Sequence, residues 1–230
     1  MTITPAKLTR AAGLVAVAAG AIFIGVQLNH PPLDVASVNA TEWVVRSSLK
    51  VLMAVLALGG ITGMYLHQVK KMGVLGLIGY LLFSANYLVI AGTSFVAACV
   101  LPSIAATSPS YVQDILAVAS GGHATGDIGL LKTVLLLENG LYFAGCLVFG
   151  IALFRARVLP RWAAALLAIG GVISAALSLL PDPYFRLLAV PNGVAMIALG
   201  YSLWRSTPRT DASIRTTDSD RSLAGATVAR

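Results

Sequence analysis

Six apolar segments, each near the length of a membrane span, dominate this chain: Ala11–Leu28, Val44–Leu66, Met72–Leu101, Leu130–Phe154, Trp162–Leu180 and Leu187–Trp204. A helix rising 1.5 Å per residue needs roughly 20 apolar residues to cross about 30 Å of hydrocarbon. All six segments meet or approach that length, so the expected fold is all-α, a bundle of six transmembrane helices. Composition agrees. With 57% apolar and 11% charged residues and a mean hydropathy of +0.84, the chain lacks the polar surface of a water-soluble domain, for which about 25% charged residues is usual. Two cysteines in 230 residues exclude a disulfide scaffold.

The first segment follows Lys7 and Arg10 and could pass for a signal peptide. Its 18 apolar residues exceed the roughly 7–15 of a cleavable signal core, so it is read as a retained helix. The sixth is short, with Pro191 in its first turns and Tyr184, Phe185 and Trp204 bracketing it as interfacial aromatics.

Orientation follows from the basic residues. An even number of spans returns both termini to one side. With the termini inside, that side holds Lys7, Arg10, Lys70, Lys71, Arg155, Arg157 and Arg161. It also takes Arg205, Arg209, Arg215, Arg221 and Arg230, making 12 of the 16 Lys and Arg. The positive-inside rule therefore predicts an N-in/C-in arrangement. Residues 1–205 form the membrane domain. Residues 206–230, rich in Ser, Thr, Asp and Arg, read as a disordered cytoplasmic tail. The net charge of +7 records this topology and does not point to nucleic acid. In the outer loop Pro102–Gly129, Ser110 and Gln113 have capping-box spacing and Gly121-Gly122 is a stop. They predict a short helix over Tyr111–Ser120 that shields the bundle.

Ionisable and amide groups at membrane depth carry what functional information there is, because charge in hydrocarbon costs at least about 2.5–3.5 kcal/mol. Lys50 falls roughly 9 Å, and Glu138 roughly 12 Å, below the outer face, counted at 1.5 Å per residue. Asn86 and Asn192 count to a similar level, Gln27 a little higher. Tyr142 lies one turn below Glu138, and Arg46 one turn above Lys50, where it can pair with Glu42. Two readings of this layer stand side by side. In one, Lys50, Glu138, Asn86, Asn192, Gln27, Tyr142 and Arg46 surround an outward-facing pocket that binds or moves a small solute. In the other, a Lys50–Glu138 salt bridge and interhelical amide bonds only lock the bundle of a structural or regulatory membrane protein.

Other sites find little support. His30, His67 and His123 offer no matched pair for haem and no metal set. Cys99 and Cys146 differ too much in depth for a disulfide and read as packing residues. Asp182 and Arg186 read as a surface pair. Gly59 and Gly63, and Gly73, Gly76 and Gly79, permit close helix packing. No metalloprotease, nucleophile-elbow, P-loop or dinucleotide motif occurs. No catalytic residue, metal or cofactor is therefore assigned, and an enzyme is disfavoured.

The run Gly145-Cys-Leu-Val-Phe-Gly-Ile-Ala-Leu-Phe-Arg-Ala-Arg-Val-Leu-Pro-Arg-Trp162, followed by Ile169-Gly-Gly171, resembles a turn in a domain-of-unknown-function family of bacterial integral membrane proteins. There an Arg-x-x-Pro-Arg-Trp turn joins two late helices. The likeness covers helices four to six. It implies a multi-pass protein of a bacterial cytoplasmic membrane, and it carries no substrate or catalytic residue onto this chain.

Overall fold

Pro5 opens the first helix because a proline at the first helical position gives up no needed N–H and has its φ preset. Thr4 caps that helix, its Oγ1 accepting from the Lys7 N–H at 3.3 Å. The computed structural model of the protein describes residues 3–28, 30–177 and 189–207. Its regular structure, among the described residues, is entirely helical. The elements are α1 (Pro5–Gln27), α2 (Val35–Val38), α3 (Thr41–Phe95), a π-helical turn (Val96–Val100) and α4 (Leu101–Ile104). They continue with α5 (Pro109–Ala119), α6 (Leu130–Ala156), α7 (Arg161–Leu177) and α8 (Ala189–Ser206). By length and composition three described helices can cross a membrane: Pro5–Gln27, the run Thr41–Ile104, and Leu130–Ala156. Arg161–Ile173 is a shorter apolar helix.

The long helix α3 is two antiparallel limbs. Its backbone leaves helical values at Gln68 (φ −134°) and at Gly73 (φ 57°, ψ −156°), the second a conformation that only glycine adopts without strain. Tyr65 then stacks on Tyr80 with ring centroids 4.6 Å apart, and the Thr62 and Tyr80 hydroxyls lie 3.2 Å apart. On a straight helix residues 62 and 80 would be about 27 Å apart. The expected boundary between the second and third apolar segments falls on this turn.

The helices close into a ring. α1 packs on α3 and on α8, α3 on α6, α6 on α7, and α7 on α8. The α1–α8 contact is built on glycines. A Cβ at Gly20 would lie 2.6 Å from the Gly193 carbonyl oxygen, and one at Gly13 2.7 Å from that of Gly200. Without side chains at these crossings the two backbones come into van der Waals contact, the packing mode that replaces the hydrophobic effect between helices in lipid. Arg10 fastens the far end, donating to the Thr207 carbonyl at 3.1 Å with its guanidinium 5.3 Å from the Trp204 ring centroid.

At the opposite end, α2, α4 and α5 cover the bundle with a small core of their own. Val38, Trp43, Leu101, Val112, Ile115 and Leu116 are buried there. The helix expected in this loop is present, with one correction at its start. Pro109 takes the first helical position and makes Ser108 the cap residue, so Ser110 lies inside the first turn and the Ser110–Gln113 capping box does not form. The stop is as the glycines suggest. Gly121 is left-handed (φ 85°), its N–H bonds the Val118 carbonyl, and the Gly122 N–H bonds the Ala117 carbonyl at 2.8 Å, a Schellman ending. Asp114 ties the following loop back onto α5. It accepts from the Thr125 N–H (2.7 Å), the Thr125 hydroxyl (3.0 Å) and the Gly126 N–H (3.0 Å). The backbone N–H of Thr125 above all, and then the other two donors, hold the Asp114 carboxyl below its usual range. Asp34 caps α2 in the same way, accepting from the Ser37 N–H at 2.7 Å, and is likewise lowered.

Candidate functional site

A cavity of about 500 Å³ lies under this cover, between α1, both limbs of α3 and α6, with α5 and the π-turn at its rim. Its wall is largely apolar, with Phe23, Trp43, Ile90, Leu135 and Phe143 among the larger side chains. Polar groups converge on it from separate elements: Gln27 from α1, His30 from the loop after it, Ser47 and Lys50 from the first limb of α3, Thr93 and Ser94 from the second, and Glu138, Asn139 and Tyr142 from α6. An apolar chamber of this size with a few convergent polar groups has the character of a small-molecule site.

Lys50 and Glu138 face the same chamber without touching. Among the described residues the ion pair within 4.0 Å is Arg46 with Glu42, at 2.8 Å. Lys50 Nζ lies 3.1 Å from His30 Nε2, and His30 Nδ1 lies 2.8 Å from the Pro31 carbonyl oxygen. A carbonyl only accepts, so Nδ1 carries the proton, and Nε2 receives the Lys50 ammonium through its lone pair. His30 is thus placed as an acceptor for Lys50 Nζ. Its ring meets the edge of Trp43, centroids 5.9 Å apart. Across the chamber Thr93 Oγ1 lies 2.7 Å from Glu138 Oε2, the shortest of the three hydroxyl contacts it makes. Glu138 Oε1 accepts no bond from the described residues and is not sealed from the chamber. Trp43 Nε1 donates to the Ala97 carbonyl at 2.9 Å. That carbonyl belongs to the π-turn, a local widening of the helix that often marks functional sites, and the bond joins the two limbs of α3 at the rim.

Of the residues singled out from sequence, Lys50, Glu138, Gln27 and Tyr142 line this chamber. Arg46 does not. Its guanidinium bonds Glu42 and the carbonyl oxygens of Val26 (3.1 Å) and Leu28 (2.7 Å), so it caps the C-terminal end of α1, where a cation complements the helix dipole. Asn192 lies behind the wall and donates from Nδ2 to the Tyr142 hydroxyl at 2.6 Å, tying α8 to α6. Asn86 is fully buried, and its Oδ1 and Nδ2 have no protein partner among the described residues. The antiparallel contacts of Phe83 with Gly145 and of Gly79 with Phe149 put Asn86 at the level of Tyr142. It is thus seven residues, about 10 Å, below Thr93, which is the residue that meets Glu138. The amides thus form a second polar level beneath the chamber and are not part of its wall.

Sequence reasoning passed over His30, Thr93 and Trp43. His30 sits just beyond an apolar segment, and three residues after Gln27. That proximity was the one available signal. Cys146 is a buried packing residue, whereas Cys99 is exposed. The Asp182–Arg186 pair, the aromatics Tyr184 and Phe185, and the tail beyond Thr207 lie outside the described residues.

No protein-family model matches the chain, and neither a curated protein nor a solved structure matches it.

Proposed function

We propose that this is a six-span, N-in/C-in protein of a bacterial cytoplasmic membrane whose chamber, open toward the outside, binds or moves a small solute. The observation that carries the reading is the convergence of Lys50, His30, Thr93 and Glu138, from four separate stretches of chain, on one largely apolar cavity. Charged groups at membrane depth are costly to keep and are found where they line pathways or sites. The two limbs of α3 supply the second and third spans, and α7 and α8 the fifth and sixth. The lipid bilayer and the solute are the partners.

A test of the site compares Lys50→Met, Glu138→Gln and the double variant in purified, reconstituted protein, reading both solute binding and thermal stability. The proposal expects binding to fall in each single variant. If the double variant regains the stability that the singles lose and solute binding never changes, the polar groups serve only to lock the bundle. The Asn192–Tyr142 bond favours that second role for the deeper level, separately from the chamber.

Topology is tested by cysteine labelling in intact cells, with Cys99 and Cys146 replaced by alanine. A membrane-impermeant maleimide is expected to reach His123→Cys but not Lys71→Cys or Arg157→Cys. Labelling at position 71 or 157 with protection at 123 would reverse the orientation.

A further inference from the structure

Lys70, Lys71, Arg155 and Arg157 belong to two separate turns that the fold brings to one corner, at the end of the bundle away from α5. The two lysines lie on the turn of α3, between its departures from helical geometry at Gln68 and Gly73. Arg155 and Arg157 close α6. The close approaches of Gly79 to Phe149 and of Gly145 to Phe83 fix an antiparallel crossing of α3 and α6. Counted from there, Gly76 lies at the level of Ala152, and both basic turns follow within a few residues. Met72, Ala156 and Leu159, which adjoin the four cations in sequence, are all buried in the common core. The four side chains themselves are exposed, and among the described residues none of their head groups makes a hydrogen bond or an ion pair. The described acids lie elsewhere. Asp34, Glu42, Asp114 and Asp127 belong to the covered end and Glu138 to the chamber. Arg157 carries a second mark: it is left-handed (φ 55°), and among the described residues no other non-glycine has a positive φ. It stands at the C-cap of α6, beside the position where glycine usually makes this turn. Backbone strain kept at an exposed cation points to a use for that side chain.

Like charges gathered without a counter-charge repel. The rule that keeps Lys and Arg on one side of a membrane does not require them to meet. The surroundings indicate what kind of anion joins them. Leu66, Val69, Val74 and Ile78 of α3 and Ile151 of α6 are exposed within a few residues of the four cations. Both helices are long and apolar enough to cross a membrane. Exposed apolar side chains on such helices face acyl chains, so an anion beside them is one carried on acyl chains. Trp162, exposed at the start of α7, is the residue type that sits at headgroup level.

We propose that the junction of the α3 turn with the α6–α7 loop binds the headgroup of an anionic phospholipid. Its phosphate lies between Lys70 and Lys71 on one side and Arg155 and Arg157 on the other. The arginines offer paired N–H donors to phosphate oxygens, and the lysines offer compact charge. Basic pockets between spans on the cytoplasmic side bind such headgroups, and with the termini inside, as proposed above, this is that side. The inference needs the protein to lie in a bilayer and is independent of what the chamber binds.

The experiment titrates the full chain in neutral detergent with phosphatidylglycerol, or with phosphatidylcholine of the same acyl chains, and reads bound lipid by native mass spectrometry. Wild type is expected to bind the anionic lipid about tenfold or more tightly, since each basic residue near an anionic headgroup contributes about fivefold. Equal binding of the two lipids overturns the proposal, and this comparison needs no variant to fold. The pairs Lys70→Gln/Lys71→Gln and Arg155→Gln/Arg157→Gln are each expected to lose about tenfold or more for phosphatidylglycerol. Neither is expected to change the binding of phosphatidylcholine. Arg205→Gln/Arg209→Gln removes the same charge from the end of α8 and the chain after it, and is expected to weaken binding by no more than about twofold. If that pair weakens binding as much as the other two, the basic residues act as a diffuse field and the junction is not a site. Glycerol 3-phosphate carries a headgroup phosphate without acyl chains and is expected not to displace the lipid at millimolar concentration. Displacement would assign the junction to a soluble phosphate and overturn the lipid.

Discussion

At the scale of single residues, the deeper polar level makes a firm prediction. Tyr142 accepts from Asn192 in a bond of 2.6 Å, and Asn192 Oδ1 already lacks a protein partner among the described residues. Tyr142→Phe removes the acceptor and leaves the amide donor unpaired inside the bundle. Interhelical hydrogen bonds in membranes average about 0.6 kcal/mol and reach about 1.7; a loss near the upper figure is expected, read as a lowered unfolding midpoint in detergent. Asp114 gives a pH prediction. Its folded carboxyl is lowered from the ordinary value of 3.8, so its contribution is complete above that value and disappears as pH falls through the lowered one. The amides of Thr125 and Gly126 are therefore expected to stay protected from hydrogen exchange at pH 5 and to lose protection only in stronger acid. Asp114→Ala should expose them at every pH. Residue identity in the sequence was a good guide to which groups are costly to bury, and Lys50 and Glu138 were legible on that ground alone. Direction around the helix axis was not legible. Arg46 and Lys50 are one turn apart, yet one closes the end of α1 and the other faces the chamber, a difference fixed by where α1 lies.

At the scale of elements, segment length and loop charge made most helices readable, because lipid demands continuous apolar runs. The turn within α3 was readable as a break between two such runs. What makes it possible is Gly73, whose φ of 57° and ψ of −156° suit no residue with a side chain. Gly73→Ala is expected to cost about 1–3 kcal/mol although open space surrounds the position, which separates backbone strain from crowding. Gly20→Ala tests crowding without strain. The new methyl meets the Gly193 carbonyl, so α1 and α8 must move apart, at a cost of about 1–3 kcal/mol. Both are measured by thermal unfolding, and a Gly20→Ala protein as stable as wild type would show that the contact is looser than described. The capping box at Ser110 is an instructive miss. Two local signals overlapped by one residue, and the proline, with its fixed φ, set the helix start.

At the scale of the whole molecule, neither the ring nor the chamber inside it was legible in the sequence, since neither is a property of any one segment. The chamber depends on the hairpin of α3 opening at its upper end, where Trp43 bridges to the π-turn at Ala97, and on α5 lying over the gap. Removing the cover should therefore act on the site from a distance. Replacing Val112 and Leu116, both buried in the small core, by serine is expected to loosen α5, raise solute off-rates and leave the lower bundle folded. Unfolding midpoints and binding kinetics measured on the same sample check this.

The glycine-notched crossing of α1 and α8 also bears on how the chain is made. Of the described helices α1 is made first and α8 last, and the two are fastened to each other by Arg10 and Thr207. One flank of α1 stays without that neighbour until the other described helices have been made, and the wall it shares with α8 is the last of the ring's contacts to close. A rearranged gene that encodes α7 and α8 ahead of α1 should still assemble the same ring, and would give α1 its partner early.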